Sequence, residues 1–312
     1  RMPYRVMRLS PLSARPSWYP REIARAGRIE PAVRIFHRVA ALVENVESDD
    51  RLVRALAAQG VLEVTLLGQN VNAYGVEFGE RGAFARLLRE VGAVPGIRRV
   101  RFTSPHPRDF TPDVIEAMAQ TSTVMPHLHM PLQSGSDAIL RRMRRSYRSG
   151  KFVDIAARVR EAIPEAAITT DIIVGFPGET DSDFEKLMDL IKDVGFDQSF
   201  SFVYSARPGT PAASLADETP LDVKKERLQI LQSRINQQAL DISRSMVGST
   251  QRVLVEKLSK KSEHQVSGRT ENNRWVNFDA DPSVIGQFVD VVITEALPNS
   301  LRGRLAKQEA AA

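Results

Sequence analysis

From residue 48 to residue 204, short apolar runs alternate with stretches whose apolar positions recur at helical spacing. This spacing predicts a helix over 48–60, capped by Ser48 and closed by Gly60, and then a strand over 61–67. It further predicts helices over 82–91, 111–120, 136–143, 150–162 and 180–193, with strands over 97–103, 127–132, 167–174 and 198–204. Thr180 and Asp183 have the spacing of a capping box for the last of these helices. Strands alternating with helices make βα units and a parallel sheet, either rolled into a full or partial barrel or left open and doubly wound. Residues 220–248 read as one long helix carrying Leu228, Leu231 and Ile235 on its apolar side. Beyond it the period drops to two, and 250–258, 264–270, 274–280, 287–297 and 300–306 read as five short strands of a small OB-like barrel. The expected division is an α/β unit over 48–247, a β-barrel over 248–306 and a tail over 307–312.

Residues 1–47 break this rhythm. They hold Pro3, Pro11, Pro16, Pro20 and Pro31, nine arginines and no lysine, and no period is sustained. That composition fits a disordered, replaced or frame-shifted segment.

Composition adds three points. Apolar residues are 42% and charged residues 26%, and no apolar stretch nears the ~18 residues of a membrane span, so a cytoplasmic monomer is expected. The net charge of +5 is concentrated in places. Residues 141–151 carry six cations and no acid, among them Arg141, Arg142, Arg144 and Arg145, and suit a polyanion such as RNA as well as they suit a solvated helix end. The third point is the absence of cysteine, which excludes disulfides and thiolate metal sites.

The predicted strands end in polar loops at 68–75, 103–110, 131–137, 174–180 and 204–210, all at one end of the sheet, where α/β proteins bind ligands. His127 and His129 alternate along one strand and share a face, but no third metal ligand is near in sequence. Glu179 with His106 is the only acid–base pair these loops offer.

The stretches VTLLGQNVNAYG, RFTSPHPRDFTPDVIEAM, HLHMPLQSGSD, ITTDIIVGFPGETDSDFE, SFVYSARPGTPAA and SGRTENNRWVNF resemble the tRNA methylthiotransferase family of the MiaB type. The likeness spans about residues 50–306. It implies a partial (β/α) barrel of the radical S-adenosylmethionine type followed by a TRAM barrel. The implied activity is methylthiolation of N(6)-isopentenyladenosine beside the tRNA anticodon, with S-adenosylmethionine and a [4Fe–4S] cluster as cofactors. By resemblance Gln69 and Asn70 lie near the methionyl amine, and Gln133, Ser134 and Gly135 by the ribose and carboxylate. Val174, Gly175, Phe176, Pro177, Gly178 and Glu179 would back the adenine. Tyr204 and Arg207 close the next strand, where Arg207 faces an anion or pairs with Glu179. On the TRAM-like barrel, Lys257, Lys260, Lys261, Arg269, Arg274 and Arg302 would meet phosphates, and Trp275 or Phe278 either stacks a base or packs the core.

The family's Cys-x3-Cys-x2-Cys motif, three thiolates that hold the cluster, has no counterpart here; Arg21, Arg25 and Arg28 only share its spacing. The family's further N-terminal domain, with its second cysteine triad, is likewise missing from the match. The cluster is therefore not expected on this chain. Two functions stand open, a methylthiotransferase by descent and a non-catalytic RNA-binding protein on the same scaffold.

Overall fold

The computed structural model describes residues 6–7, 38–42, 46–68, 70–76, 79–80, 82–259 and 264–306, with side chains from residue 51 onward. The α/β unit runs β1 (Val6–Met7), β2 (Arg38–Leu42), α1 (Val46–Ala58), β3 (Glu63–Leu67), α2 (Ala83–Gly92), β4 (Arg99–Phe102), α3 (Pro112–Gln120) and β5 (His127–His129). It continues with α4 (Asp137–Arg142), α5 (Ser149–Ala162), β6 (Ala167–Val174), α6 (Asp181–Val194), β7 (Gln198–Val203) and the long helix α7 (Leu221–Ser245). All pairings are parallel, in the orders β1-β2-β3-β4 and β5-β6-β7. Bridges from Val100 to Val124 and from Thr103 to His129 join the two groups into one partial barrel.

Strand parity sorts the side chains. Val64, Leu66, Val100, Phe102, Leu128, Ile168 and Ile172 point outward and build one core with Leu88, Phe152 and Leu187 of the helices. The alternate positions point inward and are mostly polar: Thr65, Arg101, His127, His129, Thr169 and Asp171. A barrel filled only for stability would carry branched apolar residues there.

The structure extends the sheet upstream of residue 48, since β2 pairs along its length with β3. RVAAL is too short, and too poor in turn residues around it, to show a period by itself. Helix α1 starts at Val46, so Ser48 lies in its first turn rather than capping it. The fifth strand stops at His129 instead of 132, because the chain bends to let Gln133 bridge Ile172. The capping box forms as expected: the Thr180 hydroxyl accepts from the Asp183 N–H, and the Asp183 carboxylate accepts from the Thr180 N–H.

The five C-terminal strands are β8 (Thr250–Leu258), β9 (Gln265–Arg269), β10 (Trp275–Asp279), β11 (Phe288–Leu297) and β12 (Ser300–Leu305), closed in the order β10-β12-β11-β8-β9. Their inner valines, with Phe278, Ile293 and Leu301, form a separate core. This barrel sits at the foot of the first one. Arg99 donates to the carbonyls of Arg269 (2.9 Å) and Arg252 (2.6 Å), and Arg101 donates to those of Glu271 (2.8 Å) and Thr270 (2.9 Å). Both guanidiniums are buried, and Arg101 also pairs with buried Glu63 at 3.2 Å.

Helix α6 lies tightly on the loop after β5. A β-carbon at Gly135 would fall 2.5 Å from the Leu187 Cα. Gly135→Ala should therefore cost about 1–3 kcal/mol of overpacking, read as a lower denaturant midpoint with an unchanged slope. An unshifted midpoint would show that this contact yields freely.

Candidate functional site

The polar loops meet at the carboxyl ends of the strands, as their order requires. Three successive strands leave through left-handed backbone: Ser104 after β4 (φ 60°), Gln133 after β5 (φ 68°) and Gly175 after β6 (φ 68°). For Ser104 and Gln133 such a conformation costs on the order of 1–3 kcal/mol and persists only where its surroundings enforce it. Gln133 is held on both sides, its N–H donating to the Asp171 carbonyl (2.8 Å) and its carbonyl accepting from Ile173 (2.9 Å).

Side chains fasten the loops to one another. The Asn72 amide donates to the His106 carbonyl (3.0 Å) and accepts the His106 N–H (2.7 Å). The Asn70 amide donates to Asp109 (2.5 Å), whose carboxyl is held below its usual range chiefly by the Arg108 hydrogen bond. Tyr147, from the basic run, donates to the Leu132 carbonyl (2.9 Å), and burial pushes its phenol up to about 12. Its ring meets that of His106 edge-on at 5.1 Å, and burial lowers the His106 pKa.

The turn after β6 is built around Glu179. Its Oε1 accepts from the Gly175 N–H and from Arg227, both at 2.9 Å, and Arg227 also reaches Asp181 at 2.6 Å. Burial raises the Glu179 pKa, with Gly175 and Arg227 opposing it. This corrects two expectations: Glu179 pairs with Arg227 rather than with exposed Arg207, and no hydrogen bond joins it to His106. Ser134 is buried, with its hydroxyl accepting the Ser136 N–H at 3.2 Å, so it builds a turn. Val174, Phe176 and Pro177 are buried beside Gly175, and Gly178 is exposed. Phe176 packs edge-on against Tyr204 at 4.9 Å, and the buried Tyr204 hydroxyl has no hydrogen-bond partner among the described residues. Gln69 lies outside the described residues.

Of the expected RNA contacts, Arg141, Arg142 and Arg144 are exposed and Arg145 is partly buried. The Arg142 guanidinium packs against Gly178, so the basic run touches the rim of the site. Lys257 is exposed, 4.1 Å from the centre of the Trp275 ring, and Arg269 covers the same ring at 4.3 Å while pairing with Glu256 at 3.5 Å. Arg302 is exposed and pairs with Glu295. Arg274 is a correction: it forms a 2.7 Å ion pair with Asp197 between the two barrels and is withdrawn from phosphate contact. Phe278 is core, and Lys260 and Lys261 lie outside the described residues. His127 and His129 do share a face, with Thr169 Oγ1 at 3.3 Å and 2.9 Å, and His129 stands 3.5 Å from Asp171. Sequence reasoning passed over Phe200 and Phe202, which are 52% and 58% exposed on the inner face of β7. Their strict alternation with Ser199 and Ser201 was the available signal.

The family model described as the Radical SAM superfamily matches residues 34–191, half of the chain. The chain belongs to the radical SAM superfamily. A TRAM domain model matches residues 244–306, which is the second barrel. Two relatives, from Shigella boydii serotype 18 and Escherichia coli O1:K1 / APEC, are each 56% identical over 266 residues, 84% of this chain and 56% of theirs. Both are named tRNA-2-methylthio-N(6)-dimethylallyladenosine synthase, and the chain spans little over half their length. The E. coli coproporphyrinogen III oxidase, a radical SAM enzyme, superposes with a TM-score of 0.50 at 14% identity, covering 72% of this chain and 59% of its own. That likeness concerns fold alone.

Radical SAM chemistry uses a thiolate-bound [4Fe–4S] cluster, and the residues of this chain do not fit one. It has no cysteine, and among the described residues no three His, Asp or Glu side chains gather as metal ligands. Among the described residues no helix is long and apolar enough to cross a membrane.

Asp183 gives the loop cluster a pH signature. Burial pushes its carboxyl up, but hydrogen bonds from Ser136 (2.5 Å) and Thr180 outweigh this and hold it below its usual value. A depressed carboxyl stabilises the fold above its unfolded pKa and loses that contribution as pH falls through the folded one. The stability gap between wild type and Asp183→Asn should be full near pH 7 and close below about pH 4. A gap that is flat from about pH 7 to about pH 3 would refute the assignment.

Proposed function

We propose that this chain is the barrel-and-TRAM part of a tRNA methylthiotransferase, acting on N(6)-dimethylallyladenosine beside the anticodon of cytoplasmic tRNA. The observation that carries the reading is the pairing of a radical SAM barrel with a TRAM domain at 56% identity to synthases of that name. The polar inner face, the strained strand exits and the cationic run against the site rim support it. S-adenosylmethionine would sit at the loops after β3, β5, β6 and β7, its nucleoside toward Phe176 and Tyr204. What the chain's own residues supply is recognition and placement. The sulfur transfer itself requires the cluster, for which this chain offers no thiolate.

A second reading, tRNA binding without catalysis on the same scaffold, is favoured by that absence of cysteine. Iron content separates the two. Anaerobic reconstitution with iron and sulfide should leave the chain without stoichiometric iron and without the brown absorption of a cluster. About four irons per chain, or 5′-deoxyadenosine formed on reduction, would restore full enzyme status.

Both readings require tRNA. Binding should weaken steeply with salt, as phosphate contacts release counterions, and removal of residues 248–312 should lower it further. Salt-independent affinity, or no loss on that truncation, would count against both.

A further inference from the structure

The inner face of β7 carries an aromatic ladder. Phe200, Phe202 and Tyr204 follow at every second residue, so they rise on one side of the strand from mid-barrel to mouth. The lower two rings are more than half exposed on this edge strand, while Val203, on its other face, packs on the main core. Register fixes their neighbours: Asp171 of β6 lies opposite Phe200, and Ile173 lies opposite Phe202. His129 of β5 reaches across to the same spot. Its ring stands 5.8 Å from that of Phe200, its Nε2 is 3.5 Å from Asp171, and its Nδ1 is fixed by Thr169 at 2.9 Å. A large apolar surface thus lies open beside a partly exposed carboxylate and an imidazole, below the Tyr204 hydroxyl that is buried without a partner.

From this juxtaposition we infer that Phe200 and Phe202, with Asp171 and His129, seat the target base of the RNA: an unstacked adenine carrying an apolar N6 substituent. The assignment deepens the proposed function and rests on it. Each part of the seat answers one feature of the ligand. The base has lost its stacking partners on leaving the RNA loop, and the two phenyl rings replace them. A bare purine would leave apolar ring surface wet, whereas an alkenyl group on N6 covers it. The single N6–H that remains is a donor, and the Asp171 carboxylate is an acceptor at the matching edge. His129 positions that carboxylate from the side away from Phe202. Neither Phe ring belongs to the loops that resemblance assigns to S-adenosylmethionine, so the seat lies deeper in the barrel than the cofactor wall at Phe176 and Tyr204.

The test compares two anticodon stem-loops, identical except that one carries N(6)-dimethylallyladenosine and the other plain adenosine at the same position. Wild type should prefer the modified RNA by roughly tenfold, the scale of one base–aromatic contact. Phe200→Ala and Phe202→Ala should each weaken the modified RNA more than the plain one, bringing the ratio toward one, and leave the salt dependence unchanged. Since both rings are exposed, thermal unfolding should move by no more than a degree or two. Asp171→Asn should weaken both RNAs, because each presents an N6–H. Equal affinity of wild type for the two RNAs, or a preference that survives in both Phe variants, overturns the seat. Binding of the free nucleoside N(6)-dimethylallyladenosine, followed by saturation-transfer NMR, separates the two levels. Nucleoside bound through Phe200 and Phe202 without RNA binding would refute the tRNA reading and uphold the seat, whereas RNA bound without nucleoside contact at these rings would do the reverse.

Discussion

Two guanidiniums buried in the foot of the barrel hold the molecule's plan together. A buried arginine needs acceptors for its N–H groups, and an uncompensated one is strongly destabilising. Arg99 and Arg101 find theirs largely on another domain, in carbonyls more than 150 residues further along the chain. Those carbonyls belong to the rim of the TRAM barrel, so the charges are satisfied only when the two units are docked in one orientation. The Arg274–Asp197 ion pair adds a second tie at the neighbouring strand. The TRAM barrel is therefore a fixed part of the first barrel's floor rather than a tethered neighbour.

Much of this was legible in the sequence. Strands and helices from residue 61 onward fall within about two residues of their expected limits, apart from the shortened β5 and the earlier end of α7. The five-stranded barrel was readable from its period of two. The loops of the site were also readable, since glycine, serine and asparagine cluster wherever a strand ends. What stayed hidden was long-range pairing. Nothing local says that Arg274 serves Asp197 instead of phosphate, or that Glu179 takes Arg227 from a helix 48 residues away. Phe200 and Phe202 were missed for a related reason. An aromatic in a strand is ordinarily core, and it is the place of β7 at the open edge of the partial barrel that leaves these two uncovered.

The scaffold and its cofactor part company at one point. The described residues of the first barrel carry the strand order of a parallel, partial barrel, and the radical SAM family model matches residues 34–191. The three thiolates are absent. Geometry that shapes a barrel and residues that hold a metal are separate features of a sequence, and a chain can carry the first without the second.

The docking of the TRAM barrel at the foot also sets a length scale. The site loops open at the other end of the strands, and eight-residue β6 spans roughly 26 Å at ~3.3 Å per residue. On the proposed function, an RNA gripped at both ends would lie along the outside of the barrel for at least that distance. A dinucleotide or a bare loop touches one end only and forgoes the gain that comes from tethering two weak contacts on a single ligand. On the proposed function the height of the barrel would thus act as a ruler for the RNA.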